Sequence, residues 1–269
     1  MAANPEEEAM VEEVWRNFLT NGYNPFEVRA RRLFHLIPSN PRCKLCQAPF
    51  SGIGGGVMRS VFGKRPSNLN PQLCNMCEQF AQQHQGGAET ELSLLFADVR
   101  GSSALAEKMT PTEFSKLINR FYNTATHVLV HTNALIDKII GDQVAGMFVP
   151  GFAGAQHAQQ AIAAAKEILT ATGHGDPGGP WIALGVGVHT GRAFVGGVGS
   201  STGTTDITVL GDVPNTAARL SSNARVGEIL ISEAARSAAG FDSSGLERRA
   251  LELKGKSEVV SVYVLTDYT

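Results

Sequence analysis

Four cysteines and two aspartates are the residues whose types and spacing ask first for chemistry. The cysteines form two CxxC pairs, Cys43/Cys46 and Cys74/Cys77, with 27 residues between the inner two and none left over. Four thiolates complete a closed tetrahedral zinc site, the expected occupant, with rubredoxin-type iron or an iron–sulfur cluster as the alternative. Asp98 ends an apolar run, LSLLFADV, and Asp142 follows Gly141 between two short apolar runs, LIDKII and VAGMFVP. Taken singly, each aspartate also fits a helix cap or a turn. Taken together they are a pair of hard oxygen donors, suited to magnesium shared with substrate phosphates. Beside them Gly101, Ser102 and Ser103 open a helix with little side-chain bulk, and backbone N–H groups at such a start favour phosphate. Further on, LGDVPNTAARL offers Asp212 as an N-cap, Pro214 in the first turn, and Asn215 and Arg219 four apart on one helix face. A guanidinium there suits a reacting phosphoryl group and Asn215 a ribose hydroxyl, although a solvated face has the same spacing.

These residues need elements to position them. From Leu92 the apolar periods read strand, long helix (TPTEFSKLINRFYNTATHVLV), two short strands, second helix (AQHAQQAIAAAKEIL) and a strand in WIALGVGVHTG. That order is β-α-β-β-α-β, an α+β ferredoxin-like fold, extended by ITVL, a helix over 212–224, EILIS and a C-terminal hairpin. In this fold the first and third strands are antiparallel neighbours. The end of strand one, with Asp98, therefore meets the start of strand three, beside Asp142.

Ahead of that core, residues 10–20 place Met10, Val11, Val14, Trp15 and Phe18 at helical spacing. From Val28 to Cys77 there is no acidic residue against eight basic ones: Arg29, Arg31, Arg32, Arg42, Lys44, Arg59, Lys64 and Arg65. Residues 82–87 read as a linker. The expected division is 1–89, a helix with a small four-cysteine metal-binding module, and 90–269, the core.

Apolar residues are 43% and charged residues 18% of the 269, enough for a sizeable core, and the net charge of −2 excludes a molecule governed by one strong field. No run approaches the roughly 18 apolar residues of a membrane helix, and the start, MAANPEEEAM, is acidic where a secretion signal is basic and then apolar. The expectation is a soluble cytoplasmic protein with no membrane partner, where cysteine pairs favour metal over disulfides.

Three segments together, FADVRG at 96–101, KIIGDQVAGMF at 138–148 and LGDVPNTAARL at 210–220, resemble the class III nucleotidyl cyclases. The resemblance covers about residues 90–266. It implies that ATP or GTP becomes a 3′,5′-cyclic nucleotide and pyrophosphate. It implies that Asp98 and Asp142 hold two magnesium or manganese ions, that Asn215 and Arg219 serve the transition state, and that Lys254, with Lys256 close by, takes the triphosphate. Lys138 matches the purine-reading position, where a lysine donor suits N1 of adenine and opposes the N1–H of guanine. Adenylate cyclase is therefore the expected activity, with guanylate or mixed specificity as the alternative. Because residues of two such domains face each other in this family, a homodimer with composite sites is implied.

There are departures. Thr208 stands where the partner of the base-reading lysine is often aspartate, Ser102–Ser103 where Phe-Thr is usual, and Pro214 where valine is common. His127, His131 and His189 read as structural, and Arg192, Gly196, Gly197 and Gly199 as serving strand geometry. The four-cysteine module reads either as a regulator or as a brace for the dimer. Its basic residues offer a nucleic-acid surface as a competing reading, with few aromatics, Phe34, Phe50 and Phe62, to stack on bases.

Overall fold

A computed structural model describes residues 4–22, 25–37, 39, 41–200, 203–253 and 259–268. In chain order its elements are α1 (Pro5–Asn21), α2 (Pro25–Leu36), α3 (Gly52–Phe62), α4 (Asn75–Gln83), β1 (Gly86–Val99), α5 (Ser102–Lys108), α6 (Pro111–His131), β2 (Leu135–Ile140), β3 (Gln143–Phe148), α7 (Pro150–Ala153), α8 (His157–Ala171), β4 (Leu184–Gly199), β5 (Thr205–Leu210), α9 (Asp212–Asn223), β6 (Ile229–Ser232), α10 (Glu233–Ala239), β7 (Glu247–Leu251) and β8 (Val260–Leu265). The strands form one mixed sheet in the order β2-β3-β1-β4-β6-β8-β7, with β5 pairing to β4 off that path. The expected α+β architecture is present. Two compact units emerge: residues 1–90, 149–152 and 193–210, and residues 91–148, 153–192 and 211–269.

In the second unit α6 starts on a capping box: Thr110 Oγ1 accepts from the Glu113 N–H, and the Glu113 carboxylate accepts from the Thr110 N–H at 2.9 Å. Pro111 at the first helical position costs nothing, because its missing N–H would have had no intrahelical partner. The inner face of α6 brings Phe121, Ala125, Val128 and Leu129 against Ala161, Ile162, Ala165 and Ile168 of α8, over Leu95, Ala97, Val144, Val186 and Val188 of the sheet. Burying a side chain such as Phe121 contributes about 1.5–3 kcal/mol. This alternation also fixes strand register, since a slip of one residue would turn every inward side chain outward. In that register β1 and β3 run antiparallel with Asp98 opposite Gln143, one residue from Asp142.

In the first unit Asn4 caps α1, and Glu6, Glu7 and Glu8 occupy its favourable N-terminal end. Trp15, Phe18 and Leu19 are buried. The Trp15 ring meets Phe80 at 5.2 Å, and its Nε1 donates to the His84 carbonyl at 2.7 Å. Met10, expected on the same face, is 61% exposed. At 100° per residue it turns away from a stripe centred on Trp15 and Leu19.

The linker expected at 82–87 is absent: α4 runs to Gln83 and β1 begins at Gly86. The glycines there serve a close approach of backbones. A Cβ on Gly87 would lie 2.4 Å from the Val195 carbonyl oxygen, and one on Gly196 2.1 Å from that of Gly86. The same contact carries β4 past Gly191, where the sequence pattern ends it. Helix α10 has no counterpart in the sequence pattern, and Asp212 is the first residue of α9 rather than its cap, a place taken by Gly211 at φ 119°. Gly196→Ala must push the two backbones apart and is expected to cost about 1–3 kcal/mol, read as a lowered urea midpoint. Gly178→Ala, which meets nothing within 4 Å, should leave the midpoint unchanged, and equal effects would contradict the close approach.

Candidate functional site

Asp98 and Asp142 are brought together by register. Asp98 lies one residue before the end of β1, and Asp142 sits in the β2–β3 turn, where Gly141 takes φ 64°. The Val99 N–H donates to the Asp142 carbonyl at 3.0 Å, and the Tyr122 hydroxyl donates to the Gly141 carbonyl, which holds the turn on the end of β1. The Ser102 hydroxyl donates to the Asp142 carboxylate. Gly101, left-handed at φ 69°, caps the short α5, with Ser102 half-buried and Ser103 exposed.

The Asp98 side chain is 13% exposed and forms an ion pair with Arg100. Burial pushes its carboxyl above the usual range; the Arg100 guanidinium pulls the other way without cancelling, and the nearby Asp142 charge raises it further. Arg100 is anchored in turn by donating to the Ser222 carbonyl at 2.8 Å, and the Ser222 hydroxyl stands 3.5 Å from Asp98 Oδ2. Ser222 lies three residues beyond Arg219 and seven beyond Asn215, so all three stack along one side of α9. Asn215 is exposed and donates to the Gly211 carbonyl at 3.0 Å, and Arg219 is half-buried. Sequence reasoning passes over Arg100 and Ser222. The first stands inside FADVRG as an apparent spacer, and the second carries no signal beyond its helical period.

Two adjacent carboxylates, one of them paired with a guanidinium and resisting ionisation, fit a divalent cation by donor type and by charge. Lys138 lies exposed on β2 beside a register shift, opposite Ala145. Thr208, 8% exposed, lies on β5 opposite Gly196. Lys254 and Lys256 fall outside the described residues. Of the histidines, His189 Nδ1 is 2.8 Å from the Ser232 hydroxyl, and His131 Nε2 is 3.2 Å from Glu167.

The second constellation is the cysteines, whose four sulfurs lie within 4.8 Å of one another with no disulfide among them. The first pair sits in a tight turn, with the Cys43 N–H donating to the Ala48 carbonyl at 2.9 Å and Gln47 at φ 62°. The second pair opens α4, with Cys74 at its cap position. The Cys74 N–H donates to Cys43 Sγ at 3.3 Å, and Lys64 Nζ stands 3.8 Å from Cys46 Sγ. Hydrogen bonds from its three neighbours hold Cys74 far below the usual thiol range, while burial raises Cys43. Donors aimed at sulfur are what a thiolate ligand set requires.

Three of the eight basic residues here point into the protein. Arg31 and Lys44 are buried, and Arg42 donates to the carbonyls of Phe34, Ile37 and Gln47. Among the described residues no helix is long and apolar enough to cross a membrane.

A family model described as the adenylate and guanylate cyclase catalytic domain matches residues 85–267. An adenylate cyclase of Anabaena cylindrica is 32% identical over 189 residues, which cover 66% of this chain and 37% of that relative, so the chain spans little more than a third of its length. Among solved structures, the guanylyl cyclase Cya2 is similar at 27% identity and a TM-score of 0.61, over 67% of this chain and 93% of that one. The adenylyl cyclase CyaB from P. aeruginosa is similar at 27% identity and a TM-score of 0.57, over 66% and 95%.

A carboxyl whose folded pKa is raised loses stability as pH climbs from its ordinary range through the folded value. Asp98→Asn should therefore raise, not lower, the melting temperature of the ion-free protein at pH 7. Manganese at about a hundred times its Kd should stabilise the native protein by about 2.7 kcal/mol and leave Asp98→Asn unmoved. A variant that keeps the full manganese shift in thermal unfolding would contradict the assignment.

Proposed function

We propose that this chain, which belongs to the adenylate and guanylate cyclase catalytic domain family, converts ATP to 3′,5′-cyclic AMP and pyrophosphate as a cytoplasmic homodimer with composite sites. The observation that carries the reading is the convergence of Asp98 and Asp142 at the end of β1 and the β2–β3 turn. These two carboxylates would hold magnesium or manganese. When bound, the ions supply the Lewis acidity that eases loss of the 3′-hydroxyl proton and departure of pyrophosphate.

The remaining work falls to side chains. The 3′-oxygen bonds to the α-phosphorus, the α–β bridging bond breaks toward pyrophosphate, and the hydroxyl proton leaves to solvent. Arg219 takes up charge growing on the α-phosphoryl group, and Asn215 orients the ribose. The backbone N–H groups at Gly101, Ser102 and Ser103 receive phosphate oxygens, and Lys254, or Lys256 beside it, the triphosphate. Lys138 donates to N1 of adenine, and Thr208 completes base recognition with a hydroxyl that both donates and accepts. That hydroxyl in place of a carboxylate, with the likeness to Cya2, supports mixed ATP and GTP use as the second reading. In residues 1–89, Cys43, Cys46, Cys74 and Cys77 would hold one metal centre that braces the module, with zinc favoured over iron or an iron–sulfur cluster. The inward turn of Arg31, Arg42 and Lys44 removes much of the surface that nucleic acid would need.

The test is turnover of ATP and GTP side by side, with manganese or magnesium, reading cyclic product and pyrophosphate. Preference for ATP is expected, with Arg219→Ala lowering kcat about 10²-fold or more while circular dichroism stays unchanged. Preference for GTP would overturn the base assignment, and no product from either nucleotide would overturn the activity.

A further inference from the structure

The residues between and beside the cysteines are fastened to one strand. Lys44, between Cys43 and Cys46, has a side chain only 9% exposed and forms an ion pair with Asp206 of β5. Asn70, four residues before Cys74 and 7% exposed, donates its amide to the Thr205 carbonyl at 3.1 Å. The Thr204 hydroxyl donates to the Leu69 carbonyl at 3.2 Å. Three consecutive residues, Thr204 just before β5 and Thr205 and Asp206 at its start, are therefore held by residues 69, 70 and 44.

The two cysteine segments are also tied to each other. The Lys44 N–H donates to the Gln72 carbonyl at 2.9 Å, the Gln72 N–H donates to Asn70 Oδ1 at 3.1 Å, and the Cys74 N–H reaches Cys43 Sγ. Whatever fixes the four sulfurs fixes Lys44 and Asn70 with them. The strand they hold gains from that support, because among the described residues β5 pairs only with β4 in the sheet. Side chains alternate along a strand, so Thr208, two residues past Asp206, shares its face.

We infer that a metal ion held by Cys43, Cys46, Cys74 and Cys77 positions β5 through Lys44–Asp206 and Asn70–Thr205, so that discrimination between ATP and GTP at Thr208 depends on the loaded cysteine site. Lys44 and Asp206 are positioning residues in this scheme. Losing the Asp206 carboxylate weakens the hold on the buried Lys44 ammonium, which lets the turn and the strand move apart. Small displacements of a hydrogen-bonding hydroxyl weaken base reading more than they weaken phosphate binding, so the ratio of the two nucleotides is the sensitive quantity. The discrimination half rests on the proposed role of Thr208; the fastening of β5 to the cysteine module does not.

The experiment compares the full chain as isolated, the same chain stripped of metal by a chelator under reducing conditions, and Asp206→Asn. Bound metal, amide hydrogen exchange over residues 204–210, and kcat/KM for ATP and for GTP are measured on each. Stripping should speed exchange there about tenfold or more. Asp206→Asn should keep its metal, speed exchange, and change the ATP-to-GTP ratio of kcat/KM about three- to tenfold, the span of one hydrogen bond. If Asp206→Asn does not fold, Thr204→Val, which removes the hydroxyl bond to Leu69, takes its place. Exchange that ignores both stripping and substitution would overturn the coupling, as would a chain isolated without metal. Equal losses for both nucleotides would reduce Lys44–Asp206 to a brace. If the native chain turns over neither nucleotide, discrimination is overturned together with the proposed activity, and exchange alone then decides the coupling.

Discussion

Two carboxylates held side by side against their own repulsion are the constraint on which the rest of this molecule depends. Asp98 and Asp142 do not meet by chance of side-chain rotation. They meet because β1 and β3 are antiparallel and in register, because the turn at Gly141 is tied to the end of β1 and to α6, and because the packing of α6 and α8 on the sheet permits no slip. That core opposes the cost of crowding charge. Arg100 takes up part of it, with Ser222 of α9 holding the arginine in place. A cation of higher charge and smaller size satisfies the same carboxylates better, and the helix side that carries Ser222 also carries Asn215 and Arg219.

The cysteine module follows another logic. Its segments are short, polar and rich in glycine, and much of its basic charge is spent on backbone carbonyls and on Asp206 rather than shown to solvent. Such a segment gains its order from cross-links. Four converging sulfurs offer one, and the bonds from residues 44, 69 and 70 pass that order to β5. A site with no part in the phosphate chemistry thereby bears on a strand that carries a candidate specificity residue.

Much of this is legible in the sequence. The alternation of strand and helix periods from Leu92 and the CxxC pairs each have a local cause, and local causes can be read from a single chain. The approach of Asp98 to Asp142 is also legible, because it follows from strand order alone. What escapes is long-range. Gly86 and Gly87 look like a linker unless one knows that residues 195 and 196 lie against them, and the same blindness cuts β4 short. Arg100 looks like a spacer until its partner Ser222, 122 residues away, is in view. Lys44 looks like one more surface charge until Asp206 is found beside it. Met10 keeps helical spacing but falls outside the buried stripe.

The most direct measurement is anomalous diffraction at the manganese edge from crystals of the full chain grown with manganese and a non-reacting ATP analogue. Manganese is expected on the carboxylates of both Asp98 and Asp142, with Arg100 released from Asp98. Manganese bound elsewhere, or Arg100 still paired with Asp98 beside a bound nucleotide, would contradict it.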